Sequence, residues 1–172
     1  MPSHPTLTSL LIEELDREAG ITRRTLERFP KDSWNWKPHE KSMPMGRLAA
    51  MIAGMPGWIA LMINQDELDI QPPGGSNYKD VEMDGKQLVE SLEKSLKTGR
   101  EALEKTTDDF LLNTKWRLLK GGQLLAEDPR YVALRGGCLN HLAHHRGQLT
   151  VYLRMRDQKI PMIYGPTADE GQ

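Results

Sequence analysis

The stretch HLAHHRGQLTVYL, residues 141–153, predicts a helix that carries two histidines on one face. His141 and His145 stand four residues apart, so on a helix their side chains lie one above the other. Cys138 and Leu149 fall on the same face, which turns the two imidazoles toward an apolar interior. At this spacing two imidazole rings can reach one divalent metal ion.

Two amphipathic helices are predicted upstream. The first runs from about Thr6 to Phe29, with an apolar stripe at intervals of three and four residues made by Leu7, Leu11, Leu15, Ala19, Thr22, Leu26 and Phe29. The third helix of the chain begins after Asp84, which is a favourable N-cap residue. Its inner face consists of Leu88, Leu92, Leu96, Gly99 and Leu103.

The second helix lies between these two and is apolar on nearly every side. Ser42 and Pro44 mark its start as cap and first-turn residues, and it extends to about Gln65. Pro56 removes one hydrogen bond inside it and predicts a kink. Because this helix has more apolar surface than one small bundle needs, we expect it to support a homodimer.

The fourth helix contains the histidines. Asp128 and Pro129 predict its cap and first turn, and it ends near Asp157. Before it, the residues around Gly121-Gly122 fit either a small hairpin with a two-glycine turn or a loop. The tail from Ile160 onward reads as irregular.

These four helices predict an all-α fold, a four-helix bundle with a long crossover connection between helices 2 and 3. A chain of 172 residues has the length of one domain, so residues 1–172 are expected to form a single domain.

Composition limits the possible functions. The net charge is −1 and basic residues do not cluster, so we expect neither nucleic acid nor an anionic membrane surface as a partner. One cysteine, Cys138, excludes an internal disulfide and fits a reducing compartment. The N-terminus lacks the pattern of a signal peptide. The longest uncharged run, residues 48–65, contains Gly54, Pro56 and Gly57 and falls short of the ~20 mostly apolar residues of a spanning helix, so it is interpreted as a buried core helix. A cytoplasmic location is therefore predicted.

The histidine pair has two interpretations. His141 and His145 are either a metal site in the bundle interior, or core histidines whose nitrogens bond to backbone or water. His144 lies about 100° around the helix from His145, so it is predicted to be a surface residue or to support the site. His4 and His39 lie in the N-terminal segment and a loop, and neither is assigned as a ligand. Cys138 is either a soft ligand or a buried small apolar residue.

Five short motifs resemble the DinB/YfiT-like superfamily of metal-dependent hydrolases. The resemblance extends over nearly the whole chain. The motifs are Trp34-Asn35-Trp36-Lys37-Pro38, Gly46-Arg47-Leu48-Ala49-Ala50, Met55-Pro56-Gly57-Trp58, His141-x-x-x-His145-Arg146-Gly147-Gln148 and Ile163-Tyr164-Gly165-Pro166. The resemblance implies a bundle of up-up-down-down order that is often dimeric. It also implies a nickel or zinc site made by one histidine of helix 2 and the pair of helix 4. It further implies a possible thiol-dependent reaction, since members of this superfamily include transferases and isomerases that use low-molecular-weight thiols.

The chain departs from this pattern at Met51, which occupies the position of the family's helix 2 histidine. A thioether is a soft donor that suits Cu(I) better than Zn²⁺ or Ni²⁺, and helix 2 offers no other ligand. Two functions remain. The first is a hydrolase or a thiol-dependent transferase with a metal on His141 and His145. The second is a non-catalytic, metal-free dimer with a degenerate site, which binds a small ligand or has a structural role.

Overall fold

A computed structural model describes residues 4–75 and 81–171, and over these residues the protein is mostly helical with a small sheet. The helices are α1 (Leu7–Leu26), α2 (Met45–Gly54), α3 (Trp58–Asn64), α4 (Gly85–Lys105), α5 (Asp108–Asn113), α6 (Arg130–Leu134) and α7 (His141–Met155). The strands are β1 (Glu67–Asp69), β2 (Lys115–Lys120) and β3 (Gln123–Pro129).

The sheet corrects the all-α prediction. Strands β2 and β3 pair antiparallel, and β1 adds to β2 in parallel. Gly121 and Gly122 form the turn with φ of 58° and 79°, a region that glycine enters without steric cost. The Asp69 carboxylate accepts hydrogen bonds from both of their N–H groups, at 2.9 and 2.7 Å. Of the two alternatives for this segment, the hairpin is therefore the one that forms.

Helices α1 and α4 begin at capped residues. The Thr6 side chain accepts from the Ser9 N–H at the start of α1. Asp84 and Gln87 form a reciprocal capping box at the start of α4, as the sequence predicted for Asp84. Helix α4 packs against α1, α2 and α3, while α2 also packs against α7. The buried leucines of these helices form the core, among them Leu11, Leu15, Leu48, Leu88, Leu92, Leu103, Leu142 and Leu149.

The predicted kink at Pro56 takes the form of a short 3₁₀ turn, Met55–Gly57, which separates α2 from α3. The Pro56 carbonyl points at α4, where Gly99 faces it. A Cβ atom on Gly99 would lie 2.3 Å from the Pro56 oxygen, so only glycine permits this approach. The single helix 2 that was predicted is therefore two helices, α2 and α3. The turn between them packs closely against α4 at Gly99.

Gly99→Ala should destabilise the protein by ~1–3 kcal/mol, because the added methyl group meets a backbone oxygen that cannot move away alone. Gly20→Ala in α1 is the matched control, since nothing lies within 4 Å of its Cβ position. That control should be neutral or stabilising by up to ~1 kcal/mol through helix propensity. Urea denaturation measures both, and equal effects of the two substitutions would contradict the contact.

The fourth predicted helix is interrupted. Asp128 does not cap it, because this residue lies in β3 opposite Trp116. The N-cap of α6 is Pro129, and a π-helical segment, Arg135–Asn140, joins α6 to α7. The predicted Ser42 cap is also wrong, since Pro44 is the N-cap of α2 and no side chain caps it. As predicted, residues 160–171 contain no helix or strand.

One helical run, Met45–Asn64, is long and apolar enough to cross a membrane by length and composition alone. In this structure 61% of its most apolar window is buried inside the protein. That burial is typical of the core helix of a globular protein.

Candidate metal centre

The two histidines of α7 converge on one point. The Nε2 atoms of His141 and His145 lie 2.7 Å apart, and their ring centroids are separated by 4.5 Å. Both side chains are partly exposed, so the point of convergence is open to small molecules. The i, i+4 spacing on a regular helical turn produces this geometry directly.

The second nitrogen of each ring faces an acceptor. His145 Nδ1 lies 2.7 Å from the Gln148 Oε1, and His141 Nδ1 makes a longer contact of 3.4 Å with the Gly137 carbonyl oxygen. The Gln148 amide Nε2 in turn lies 3.1 Å from the His144 Nε2, which assigns the orientation of that amide. The acceptor at the Nδ1 of His145 favours the tautomer that leaves a lone pair on its Nε2, and the His141 Nε2–H can donate to that lone pair at 2.7 Å.

At 2.7 Å one proton lies between the two Nε2 atoms, and a bound metal ion would take the place of that proton. Histidine ligands of metals generally donate their other ring N–H to a carbonyl or carboxylate, and Gly137 and Gln148 supply such acceptors here. Zn–N bonds of ~2.0–2.1 Å at a tetrahedral angle need nitrogens ~3.3 Å apart. A small rotation of either ring from the observed 2.7 Å provides that spacing.

The surroundings of His145 favour its neutral form. Desolvation by burial lowers the pKa of His145, and the nearby His141 and His144 lower it further. The hydrogen bond that His145 Nδ1–H donates to the Gln148 Oε1 raises this pKa but does not reverse the shift. A neutral imidazole is the form that binds a metal or accepts a proton.

Beside the pair is a cleft of about 270 Å³ along α2 and the start of α3. Its lining residues are Met43, Arg47, Ala50, Met51, Gly54 and Trp58. The Trp58 ring contacts His141 at a centroid distance of 5.7 Å. At the other end of α7, Tyr152 contacts Trp36, which precedes α2. The two contacts occur in opposite order along the two segments, so α2–α3 and α7 pack antiparallel.

The donors present do not match the three-histidine set of the family. Among residues 4–75 and 81–171, no group of three His, Cys, Asp or Glu side chains could hold a metal ion. The pair offers two imidazoles, and Met51, at the position where the resemblance implies a third histidine, has a thioether in place of a nitrogen.

Cys138 does not complete the site. Its thiol is fully buried and donates to the Met55 carbonyl oxygen at 3.2 Å. Burial raises the pKa of the Cys138 thiol to about 12, which keeps it protonated and unsuited to binding a metal. The alternative interpretation, a small apolar core residue, describes it correctly.

Cys138 should therefore resist alkylation in the folded protein. A rise of its pKa from 9.0 to about 12 lowers the thiolate fraction at pH 8 roughly a thousandfold. Iodoacetamide at pH 8 should modify it rapidly in urea and hardly at all under native conditions, as measured by mass spectrometry. Rapid native modification would show that the thiol is accessible and ionised.

The arginine of the histidine motif faces away from the site. Arg146 is 1% exposed and donates to the Glu18 Oε2 and the Tyr164 hydroxyl, each at 2.6 Å. Its other nitrogen donates to Thr22 Oγ1 at 3.0 Å. The Tyr164 hydroxyl also donates to Glu18 at 2.8 Å. This network ties the C-terminal tail to α1 and α7.

Several residues of the site and its support were missed by the sequence analysis. Gln148 and Trp58 belonged to recognised motifs, but nothing local indicated that one orients His145 and the other contacts His141. Glu18 gave no signal beyond its place among the charged residues of α1. The remaining histidines lie as expected. His144 is an exposed neighbour that bonds to Gln148, while His4 and His39 are exposed and outside the site.

Comparison with solved structures identifies the fold. A DinB-like protein from Bacillus cereus superimposes with a TM-score of 0.70 at 21% identity, covering 94% of this chain and 100% of that one. A second DinB-like protein, YjoA of Bacillus subtilis, gives a TM-score of 0.67 at 21% identity, covering 90% and 97%. This chain has the DinB-like fold. The resemblance seen in the sequence is thereby confirmed for the fold.

A sequence comparison also matches most of the chain, but the matched protein has no described activity. The chain is 24% identical over 153 residues to the uncharacterized protein YrdA of Bacillus subtilis, covering 89% of this chain and 85% of that protein. No family model matches the sequence. The DinB-like assignment therefore rests on the fold and on the motifs that border the histidine pair.

Proposed function

We propose that this DinB-like protein is a hydrolase or transferase of small molecules whose reaction centre is the His141–His145 pair with a bound metal ion. The observation that carries the proposal is the convergence of two Nε2 atoms at 2.7 Å, with both Nδ1 atoms facing acceptors. Gln148 holds the Nδ1 of His145, so a metal ion that replaces the shared proton would meet both Nε2 atoms at one point. A metal ion there would supply a Lewis acid.

The cleft beside the pair supports a small substrate. Its volume of about 270 Å³ lies below the ~300–1,000 Å³ of sites that hold drug-sized ligands. Met51 and Trp58 offer apolar contact in this cleft. A low-molecular-weight thiol, the substrate class that the resemblance implies, fits a cleft of this size.

A metal ion on the pair would lower the pKa of a bound thiol, because the ion stabilises the thiolate. The Gln148 Oε1 would hold the His145 ring so that its Nε2 faces the ion. His141 would supply the second imidazole nitrogen.

Elemental analysis and metal titration of the purified protein test the site. We expect weak binding of Zn²⁺ or Ni²⁺ by the wild type, because two nitrogen donors fall short of the three of a catalytic zinc site. His141→Ala and His145→Ala should each abolish this binding. His39→Ala is the matched control and should leave it unchanged. A wild-type protein that binds no metal at all would refute the metal centre.

A second candidate is a non-catalytic, metal-free protein with a degenerate site. The observation that favours it is the lack, among the described residues, of any third His, Cys, Asp or Glu beside the pair. In that case Met51 only fills the volume of the former ligand. Zn²⁺ at millimolar concentration would then leave the melting temperature unchanged.

The proposal includes a homodimer with four helical segments in up-up-down-down order. Antiparallel packing of α2 on α7 supports this order. Val151 and Met155 of α7 are more than half exposed, and apolar exposure on one helix face is typical of an interface. Light scattering at micromolar concentration should give the dimer mass. A cytoplasmic location and the lack of nucleic-acid or membrane partners stay predictions from composition.

A further inference from the structure

We propose that a cavity at the C-terminal ends of α3 and α4 binds a small zwitterion with an apolar side chain, of the class of the free α-amino acids. The cavity has a volume of about 480 Å³, within the ~300–1,000 Å³ of small-molecule sites. Its lining includes Ile63 of α3, Glu101, Ala102 and Lys105 of α4, and Phe110 of α5. The histidine pair and Met51 do not line it, so the inference does not rest on the proposed function.

The cavity forms because α2–α3 and α4 run parallel and end beside each other. The Ser95 hydroxyl of α4 donates to the carbonyl oxygen of Ala53 in α2. About one turn later along both segments, Gly99 faces Pro56. The contacts follow the same order in the two segments, so both end on one side of the molecule. The chain then enters α5, which brings Phe110 to the cavity.

The apolar wall of the cavity is held in place by a buried arginine. Ile63, Ala102 and Phe110 supply the apolar surface of this wall. Arg130 is 3% exposed, and its guanidinium lies 4.6 Å from the centroid of the Phe110 ring. The same guanidinium donates to the carbonyl oxygen of Gln65, just past the end of α3. Arg130 therefore fixes α5 relative to α3, and a wall that is already ordered lowers the cost of binding.

Helix α4 adds one charge of each sign to the cavity. Glu101 and Lys105 are four residues apart, so their side chains lie on the same face of the helix. Within residues 4–75 and 81–171, Lys105 has no ion-pair partner. Glu101 is paired with Lys97 at 3.9 Å, on the exposed side of α4. An exposed pair of this kind contributes little to stability, so the Glu101 carboxylate is available to a ligand.

A zwitterion matches both charges at once. Its carboxylate can accept hydrogen bonds from the Lys105 ammonium, and its own ammonium can donate to the Glu101 carboxylate. A ligand with a single charge would satisfy one of these side chains and leave the other without a partner. The apolar side chain of the ligand would pack against Ile63 and Phe110.

Calorimetric titration of the full chain with L-phenylalanine and L-leucine tests the inference. We expect one binding site per chain for each amino acid. Hydrocinnamate lacks the ammonium of phenylalanine, and phenethylamine lacks its carboxylate. Each of these analogues should bind at least ~10-fold more weakly than L-phenylalanine, because a charge-assisted hydrogen bond is lost. Chemical-shift changes in the ¹⁵N-labelled protein should concentrate around Ile63, Glu101 and Phe110.

Variants assign the two charges to the two ends of the ligand. Lys105→Met and Glu101→Gln should each lower the affinity for L-phenylalanine ~10-fold or more. Lys105→Met should leave the affinity for phenethylamine unchanged, and Glu101→Gln should do the same for hydrocinnamate. Both side chains are exposed, so both variants should fold. Lys94→Met is the matched control, because Lys94 is an exposed lysine of α4 outside the cavity.

Three results would overturn the inference. The first is a protein that binds neither amino acid. The second is equal affinity for L-phenylalanine and its two singly charged analogues, or phenylalanine binding that is unchanged in Lys105→Met. The third is a set of shift changes confined to Trp58 and His141, which would place the ligand at the Met51 cleft instead. Metal binding by the histidine pair is measured separately and is unaffected by any of these results.

Discussion

Replacing Met51 with histidine should raise the affinity for Zn²⁺ and Ni²⁺ by ~100-fold or more, since a direct ligand outweighs the 10–100-fold effect of supporting residues. The new imidazole would lie in the cleft lined by Trp58, whose ring contacts His141, and we expect it to supply a third nitrogen. Three protein nitrogens with one open position are the usual arrangement of catalytic zinc sites. Isothermal titration calorimetry on both proteins measures the change.

Thermal stability provides an independent check on Met51→His. A metal that binds only the folded state stabilises it by about 2.7 kcal/mol at a concentration 100 times its Kd. The variant should therefore gain melting temperature with Zn²⁺, while the wild type and a Met155→His control should change little. A folded Met51→His protein without increased affinity would show that α2 does not direct position 51 at the pair. Tight wild-type binding of Zn²⁺ would also contradict the expectation.

Arg146→Met should destabilise the protein by ~3–5 kcal/mol, because breaking a buried ion pair leaves the other charge without a partner. Arg146 and Glu18 are 1% and 7% exposed, and their side chains are joined at 2.6 Å. Methionine fills much of the arginine volume, so the loss measures the charge and the hydrogen bonds more than the packing. Chemical denaturation with urea gives the free energy of unfolding.

Three further variants make the arginine result specific. Glu18→Met combined with Arg146→Met should cost less than Arg146→Met alone, because no buried charge remains. Tyr164→Phe removes one hydroxyl from the network and should cost ~0.5–1.5 kcal/mol. Arg23→Met breaks the surface pair with Glu93 and should change stability by less than ~1 kcal/mol. If Arg146→Met costs no more than Arg23→Met, the buried network does not hold the tail and α1 together.

Features that depend on neighbours within one helix were predictable from the sequence. The apolar stripe of α1, the Asp84 cap of α4 and the alignment of His141 with His145 are examples. Each arises because residues three or four apart on a helix share a face. The spacing of two histidines was therefore enough to locate the candidate site.

Features that depend on residues distant in the chain were decided by the tertiary structure. The parallel pairing of β1 with β2 and the bond from Cys138 to Met55 join segments that no local pattern connects. The orientation of the Arg146 side chain toward Glu18 is another case. The helical motif alone does not show whether this side chain points to the histidine pair or to α1.

The candidate site also combines features set by the local sequence with features set by tertiary packing. The sequence determined that α7 would present two imidazoles on one face, since that depends only on the helical repeat. Tertiary packing decided what lies opposite them. Trp58 contacts His141 and also lines the cleft that contains Met51. Burial of Cys138 against Met55 removes its thiol from the possible metal ligands. Packing of this kind is determined by the fit of whole helices to one another, and that fit depends on side chains far apart in the chain.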